Sequence, residues 1–403
     1  MGMAGNIVIT GAGIVSALGI GHAENLQALQ AMQSGMNTPS ILNTIHHDLL
    51  VGELRWSNES IAAKFGIDLS ASYFTRTSLL AITAIHELLE SFDLVSLQKD
   101  RLAFLNANTV GGMCSVEDMY PQFVSREATG DFVKYIDTLD CAASTQDVVD
   151  YFGLKPFTAT MSTACSSSSN ALILGARMLA QGLVDKAICG GCDALSRYTI
   201  NGFLSLKNVD KSLCMPFDQN RNGLNLGEGA AFLMLEREED AIKRGAHILA
   251  FFKGYNNTND AYHPTAPSPD GAGAYRAMTQ ALKKANLLPE QIDYINAHGT
   301  ATLNNDAAEG KAIEQLFGNS ILFSSTKPYT GHTLAAAGAI EALFSIMSLQ
   351  ENCLFPNLNF TTKMEELTIT PITSLQTNKP LKHVLSNSFG FGGNNVSLIF
   401  GKA

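Results

Sequence analysis

Short runs of apolar and β-branched residues alternate with longer helix-period segments, and the alternation starts twice along the chain. The first half carries NIVITGAG, RLAFLNAN, KAICGG and AAFLMLE. From Ile248 the rhythm restarts with ILAFFKGY, IDYINAHG, ILFSSTKP and VLSNSFGFGGNNVSLIFG, with AYRAMTQALKKAN and AAAGAIEALFSIMSLQ as helices between them. Nearly continuous apolar strands require a sheet covered by helices on both faces, and the restart predicts a duplicated α/β protein. The expected division lies at residues 245–255, giving an N-terminal half 1–250 and a C-terminal half 251–403 of the 403 residues. Between Arg101 and Gln146 the stretch VGGMCSVEDMYPQFVSREATGDF shows no sustained period and reads as an inserted loop that covers a site or meets a partner subunit.

Composition narrows the classes of function. With 46% hydrophobic residues, 16% charged residues and 34 glycines, the chain has the profile of a compact enzyme rather than of a disordered segment. A net charge of -10 without a long Lys/Arg cluster disfavours nucleic-acid binding, which depends on cations neutralising phosphates. Seven irregularly spaced cysteines offer no disulfide framework, so a reducing cytoplasm is the expected compartment. The opening MGMAGNIVITGAG runs straight into a strand pattern with no signal-peptide features. No apolar run approaches the roughly 18 residues that a membrane span needs, so no span is expected.

Two motifs resemble sites they do not complete. Gly11-Ala-Gly13 follows a strand pattern, but the third glycine of a dinucleotide fingerprint is missing and Gly19 comes too late. Cys189-Gly-Gly-Cys192 has redox or zinc spacing, yet no second close pair completes four ligands; buried structural thiols, and no metal, are the expectation.

The stretch TMSTACSSSSNALILGARMLA places Cys165 between a β-like and a helical segment, the arrangement of a nucleophile elbow. N–H groups and the dipole at a helix start favour a thiolate there, and such settings lower a cysteine pKa from about 8.5 into the range of about 3.5 to 7.5. Small serines let the turn pack against neighbouring backbone, and their hydroxyls can satisfy orphan N–H groups. An inert buried thiol is the alternative reading, since most free cysteines are that.

Two histidines bear on the choice. His298 ends the strand pattern IDYINA and opens HGTATLNNDAAE; His332 lies in SSTKPYTGHTLAAAGAIEA, again between strand and helix. Both fall at carboxyl ends of strands, where open α/β sheets place ligands. Near the C-terminus, NSFGFGGNNVSLIFG carries glycines around two phenylalanines, which suits close backbone approach to a ligand, a tight hairpin, or an aromatic that swings to gate a pocket.

Together these motifs resemble the β-ketoacyl-acyl-carrier-protein synthases, the elongating condensing enzymes of the thiolase-like superfamily. The likeness covers the chain in family order: IVITGAGIVSALG, TACSSS, CMPFDQNRNGLNLGEGAAFLMLE, HGTATLNNDAAE, SSTKPYTGHTLAAAGAIEA and NSFGFGG. The resemblance implies a thiolase-like fold with a duplicated five-layered α-β-α-β-α architecture. It implies Cys165 as acyl-accepting nucleophile, His298 and His332 as its partners, and the backbone N–H groups of Cys165 and Phe391 as oxyanion hole. Phe391 also matches the family's gating phenylalanine. Lys327 would lie beside the triad and disfavour protonation of a nearby histidine, Glu341 would hold that lysine, and Asp306 with Glu309 would form a structural carboxylate cluster. The reaction implied is decarboxylative condensation of malonyl-carrier with a Cys-bound acyl group. Substrates ride on the phosphopantetheine of an acyl carrier protein, and no further cofactor is implied.

Several positions depart from the family's commonest pattern. Thr-Pro-Leu becomes Thr302-Leu303-Asn304, Arg-Asp-Gly becomes Arg221-Asn222-Gly223, and Gly-Gly-Thr-Asn becomes Gly392-Gly393-Asn394-Asn395. These changes, with a TACSSS form common in polyketide-type synthases, put housekeeping fatty-acid synthesis in doubt and admit a polyene, pigment or polyketide-like pathway. The family norm implies a homodimer; the alternative is the catalytic subunit of a ketosynthase/chain-length-factor pair. A degradative thiolase would need a second catalytic cysteine in a Cys-x-Gly setting near the C-terminus, and a thiolase-like acyl hydrolase or acyltransferase would release or pass on the acyl group without condensation.

Overall fold

The computed structural model describes residues 6–70, 73–125 and 133–403. Eleven strands form one sheet. In chain order they are β1 (Ile7–Ser16), β2 (Gly19–Ile20), β3 (Leu102–Ala107), β4 (Phe157–Met161), β5 (Lys186–Asp193) and β6 (Gly229–Arg237) in the first half. β7 (Ala250–Asn259), β8 (Tyr294–Asn296), β9 (Phe323–Ser324), β10 (His383–Gly390) and β11 (Asn394–Gly401) follow in the second. Apart from β2, which pairs with β1, the strand order is β4-β3-β5-β6-β1-β7-β11-β10-β8-β9. Read outward from the centre, each half runs first strand, last, next to last, second, third. That mirrored order is the duplication the sequence rhythm announces.

The halves join through β1 and β7, which pair antiparallel with Ile7 opposite Phe252 and Ile9 opposite Ala250. Three core clusters define five layers. Helix Arg76–Leu89 covers the outer face of the first half with Phe104, Ile188 and Phe232. Helix Ala272–Ala285 covers the outer face of the second with Ile295, Leu385 and Ile399. Between the two halves of the sheet lie helices Ser167–Ala180 and Ala337–Glu351, both in the largest cluster. They approach so closely that a Cβ on Gly338 would sit 2.1 Å from Ser169 Oγ and 3.0 Å from its backbone N.

Two expectations need correction. The supposed loop after Arg101 contains the helix Met113–Val124, on which Glu117 accepts hydrogen bonds from the backbone N–H groups of Arg197 and Tyr198. Residues 126–132 of that stretch lie outside the described residues. The helical segment Leu334–Glu351 spans 18 residues at a mean hydropathy of 1.2, so by length and composition it could cross a membrane, contrary to the sequence reading. It is 89% buried inside the chain, because a helix in a middle layer meets apolar surface on every side. The dinucleotide-like Gly11 and Gly13 lie inside β1, not at a strand-to-helix turn, and a Cβ at Gly13 would meet the Ala84 carbonyl at 1.8 Å. Those glycines serve sheet-to-helix packing.

Because the middle helices touch at Gly338, Gly338→Ala should cost about 1–3 kcal/mol of stability, the usual penalty of overpacking. Chemical denaturation measures it; a variant as stable as the parent would show that the two helices can part freely.

Candidate active site

The chain folds into an elbow at Cys165. β4 ends at Met161, Ala164 takes a left-handed φ of 51°, and helix Ser167–Ala180 begins two residues beyond the cysteine. All four serines of the cluster are fully buried and each is used. Ser166 Oγ lies 2.8 Å from the Thr163 carbonyl and 2.7 Å from Asn394 Oδ1, two acceptors for its one proton. Ser167 Oγ accepts from the Thr163 N–H at 2.8 Å and donates to the Ala164 carbonyl at 2.5 Å. Ser168 Oγ accepts from the Ala339 N–H at 2.9 Å, capping an orphan donor at the start of the other middle helix. Ser169 Oγ bonds to Ser388 Oγ at 2.9 Å.

His298 follows β8, and its turn is gripped by a carboxylate: Glu309 accepts from the backbone N–H groups of His298 and Gly299, each at 2.8 Å. Asp306 accepts from the Phe217 N–H at 2.7 Å and the Ala301 N–H at 3.2 Å. His332 follows Gly331, whose φ is 73°; its N–H donates to the Asn225 carbonyl at 2.8 Å and its carbonyl accepts from Gly227 at 3.0 Å. The two imidazoles meet edge to face with centroids 5.5 Å apart. Cys165, His298, His332 and Phe391 line one cavity of about 220 Å³ together with Thr300, Thr302 and Asn395. Lys327, Glu341, Asp306 and Glu309 stand behind that wall.

Lys327, 1% exposed, uses all three ammonium donors. Its Nζ lies 2.5 Å from the His298 carbonyl, 2.5 Å from Glu341 Oε1 and 3.3 Å from His298 Nδ1. An ammonium only donates, so Nδ1 is the accepting nitrogen and the ring proton sits on Nε2. Burial first, then the Lys327 charge and His332, hold the His298 pKa well below the ordinary histidine value. Burial and Lys327 do the same for His332. Both rings are therefore neutral donors near pH 7. His332 Nδ1 has no hydrogen-bond partner among the described residues. Burial pushes Glu341 and Glu309 up to about 7, against Lys327 for the former and the backbone donors for the latter.

The expected acidic thiol is not found. Burial pushes Cys165 up to about 11, and the lowering by Lys327, the Phe391 N–H and the Cys165 N–H does not offset it. At 5% exposure the thiolate loses more hydration than the helix start returns. Cys189 and Cys192, in contrast, lie fully buried inside β5 away from this cavity, and burial pushes Cys192 up to about 12.

Phe391 separates the first cavity from a second, apolar one of about 690 Å³ lined by Val110, Tyr198, Phe203, Leu206 and Leu334, which also reaches Cys165. Its ring stacks on Phe203 at 5.6 Å. Sequence reasoning missed Phe203, whose ordinary helical setting carries no signal. It also missed the supports that join distant segments. Buried Glu228 pairs with Arg76 at 2.6 Å and accepts from the Leu54 and Leu195 N–H groups, bracing the segment that pairs with His332. Asp193 accepts from the Thr109, Val110 and Ala335 N–H groups, tying the apolar cavity to the His332 turn.

With Cys165 held as a thiol, its alkylation by iodoacetamide should rise roughly tenfold per pH unit from pH 7 to about 9.5, following the thiolate fraction. Peptide mass spectrometry reads this position apart from Cys114 and Cys141; a plateau reached below pH 7 would mean that the elbow dominates burial.

Comparison with known proteins shows the family. The model of the β-ketoacyl synthase N-terminal domain matches residues 4–241, and that of the C-terminal domain matches 249–361. The 3-oxoacyl-(acyl-carrier-protein) synthase 2 of Staphylococcus aureus (strain COL) is 33% identical over 98% of each chain; its namesake in Synechocystis sp. is also 33% identical over 98% of each. Among solved structures, a ketosynthase (ApeO) in complex with its chain length factor (ApeC) from Xenorhabdus doucetiae is 31% identical. It superposes with a TM-score of 0.83 over 100% of this chain and 99% of that one. The ishigamide ketosynthase/chain length factor gives 0.89 at 27% identity over 99% of each. Matched along both halves and in its thiolase-like architecture, the chain belongs to the β-ketoacyl synthase family of acyltransferases.

Proposed function

We propose that this chain elongates acyl chains by two carbons, condensing malonyl-carrier with an acyl group held on Cys165. The observation that carries the reading is the opening of Cys165, His298 and His332 into one cavity, brought from opposite halves of the chain with the division near residue 250. Cys165 Sγ attacks the thioester carbonyl of an acyl carrier protein's phosphopantetheine arm. The carbon–sulfur bond to the arm breaks and the departing thiol takes the proton that Cys165 gives up. Since Cys165 rests as a thiol, its proton leaves as the thioester arrives.

Malonyl-carrier then enters. Its carboxylate departs as CO2, and the bonding pair moves onto the thioester as an enolate. Neutral imidazoles can donate to that oxygen; a cationic ring would have lost the donor's matched pKa, and an unprotonated Nε2 would have no proton to offer. His298, with Nε2–H set by Lys327, is one donor and His332 the other. The enolate carbon attacks the Cys165 thioester, the new carbon–carbon bond forms, and Cys165 leaves and is reprotonated. The backbone N–H groups of Cys165 and Phe391 take the oxyanion in both acyl-transfer steps, where one such donor is worth about 2.7–4 kcal/mol of barrier. Phe391 rotates off Phe203 to admit the chain to the apolar cavity.

The relatives named 3-oxoacyl-(acyl-carrier-protein) synthase 2 support fatty-acid elongation. The neighbours solved with a chain length factor support the second reading, a polyene or polyketide-type pathway. The family pattern favours a homodimer for the first; in the second this chain, which keeps its cysteine, is the catalytic member of a pair. The reading needs no metal and places the enzyme in the cytoplasm with its carrier.

Mass spectrometry after incubation with acyl-carrier should show an acyl adduct that Cys165→Ala abolishes. His332→Ala should lose malonyl-carrier decarboxylation at least tenfold more than adduct formation. No adduct with any acyl chain tried refutes the enzyme reading, and equal loss of both half-reactions refutes the role of His332.

A further inference from the structure

The oxyanion donors assigned above come from opposite halves of the chain, so something must hold the Phe391 N–H beside the Cys165 N–H. Phe391 sits in the turn between β10 and β11, whose ladder runs from His383 opposite Gly401 to Gly390 opposite Asn394. At Gly390 the backbone lies against the elbow, where a Cβ would fall 2.9 Å from the Thr163 carbonyl and 3.2 Å from the Cys165 N. That contact is close but not bonded. Side-chain bonds to the elbow flank it on both strands. On β10 it is Ser388, bonded to Ser169 at 2.9 Å. On β11 it is Asn394.

Asn394 Oδ1 accepts from Asn170 Nδ2 at 2.9 Å and lies 2.7 Å from Ser166 Oγ, whose single proton it shares with the Thr163 carbonyl, and a further donor, Asn257 Nδ2, lies at 3.2 Å. Its Nδ2 donates back to Asn257 Oδ1 at 3.2 Å. Asn257 Nδ2 also donates to Asn170 Oδ1 at 2.6 Å, and Asn170 Nδ2 reaches Thr163 Oγ1 at 2.9 Å. One network thus joins both residues that bracket the nucleophile turn, the first turn of the elbow helix, β7 and the first residue of β11. Amide orientation follows from its neighbours: turned over, Asn394 would aim Nδ2 at the Asn170 donor.

We infer that Asn394 is a positioning residue that sets the oxyanion hole, clamping the Phe391 turn to the Cys165 elbow through Ser166 and Asn170. The inference rests on Cys165 being the acyl acceptor. Position 394 is one of the departures from the family pattern, where threonine is usual. A threonine offers a single oxygen and cannot bond the elbow and Asn257 from two ends at once, so the carboxamide makes this clamp tighter. Asn394 touches neither the cavity that holds the histidines nor the reacting atoms. Its loss should fall on acyl transfer and spare the decarboxylation that the imidazoles assist.

The test compares two rates on the full-length enzyme: acyl-adduct formation on Cys165 from acyl-carrier, and CO2 release from malonyl-carrier given alone. Asn394→Ala should slow adduct formation at least tenfold and change CO2 release less than twofold. Asn394→Thr should lie between, because its hydroxyl keeps one bond to the elbow. Asn257→Ala, altered at an exposed position, should show the same one-sided loss at smaller size. Equal loss of both rates in Asn394→Ala, or adduct formation within twofold of the parent, overturns the clamp. A parent enzyme that forms no adduct fails earlier and takes the catalytic reading down with it, so the two failures are distinguishable.

Discussion

The site depends on one buried cation. Lys327 is buried away from solvent, and its three donors are committed to the His298 carbonyl, His298 Nδ1 and Glu341. A buried lysine without such partners would cost several kcal/mol or give up its proton. Satisfied, it does two things to the chemistry. It selects the tautomer of His298, and its charge disfavours a second charge on either ring. Glu341 comes from a middle-layer helix and His298 from the end of β8, so the lysine can work only where those layers meet.

The duplication supplies that meeting place. Each half delivers strand ends to the same rim: β4 leads to Cys165, β8 to His298, β9 to the short helix carrying Lys327 and then to His332, and β10 to Phe391. The two middle helices begin at this rim, where buried Ser168 fastens one start to the other and Ser169 ties the first to β10. The same packing that brings the groups together strips them of water. That is why the rings are neutral and also why the thiol is not acidic. A cavity built for neutral donors and a resting thiol suits a reaction in which charge is created only when substrate brings it.

What the sequence made legible was local. The elbow at Cys165 and the turn at His298 are strand-to-helix junctions with distinctive small residues, whereas His332, expected directly after a strand, follows the short helix Lys327–Thr330 that succeeds β9. The hairpin and the glycine-flanked Phe391 were legible for the same reason. Burial was not, and so the thiol was expected to be acidic: a helix start can be read from a string of residues, but desolvation by the opposite half of the chain cannot. Asp193, Glu228 with Arg76, and Asn257 with Asn170 and Asn394 were invisible because each links segments far apart in sequence. The helix Met113–Val124 was missed because Pro121 lies inside it and because the Arg197 and Tyr198 N–H groups that Glu117 holds come from a distant segment.

The central claim is that two uncharged imidazoles share the cavity with Cys165. Nitrogen-15 NMR of histidine-labelled enzyme tests it most directly, with His298→Gln and His332→Gln assigning the signals. The account predicts that both rings stay neutral as the pH falls past about 6.5, the ordinary histidine value, with His298 protonated at Nε2 only. Either ring taking up a proton at or above that pH, or a His298 proton on Nδ1, would contradict it.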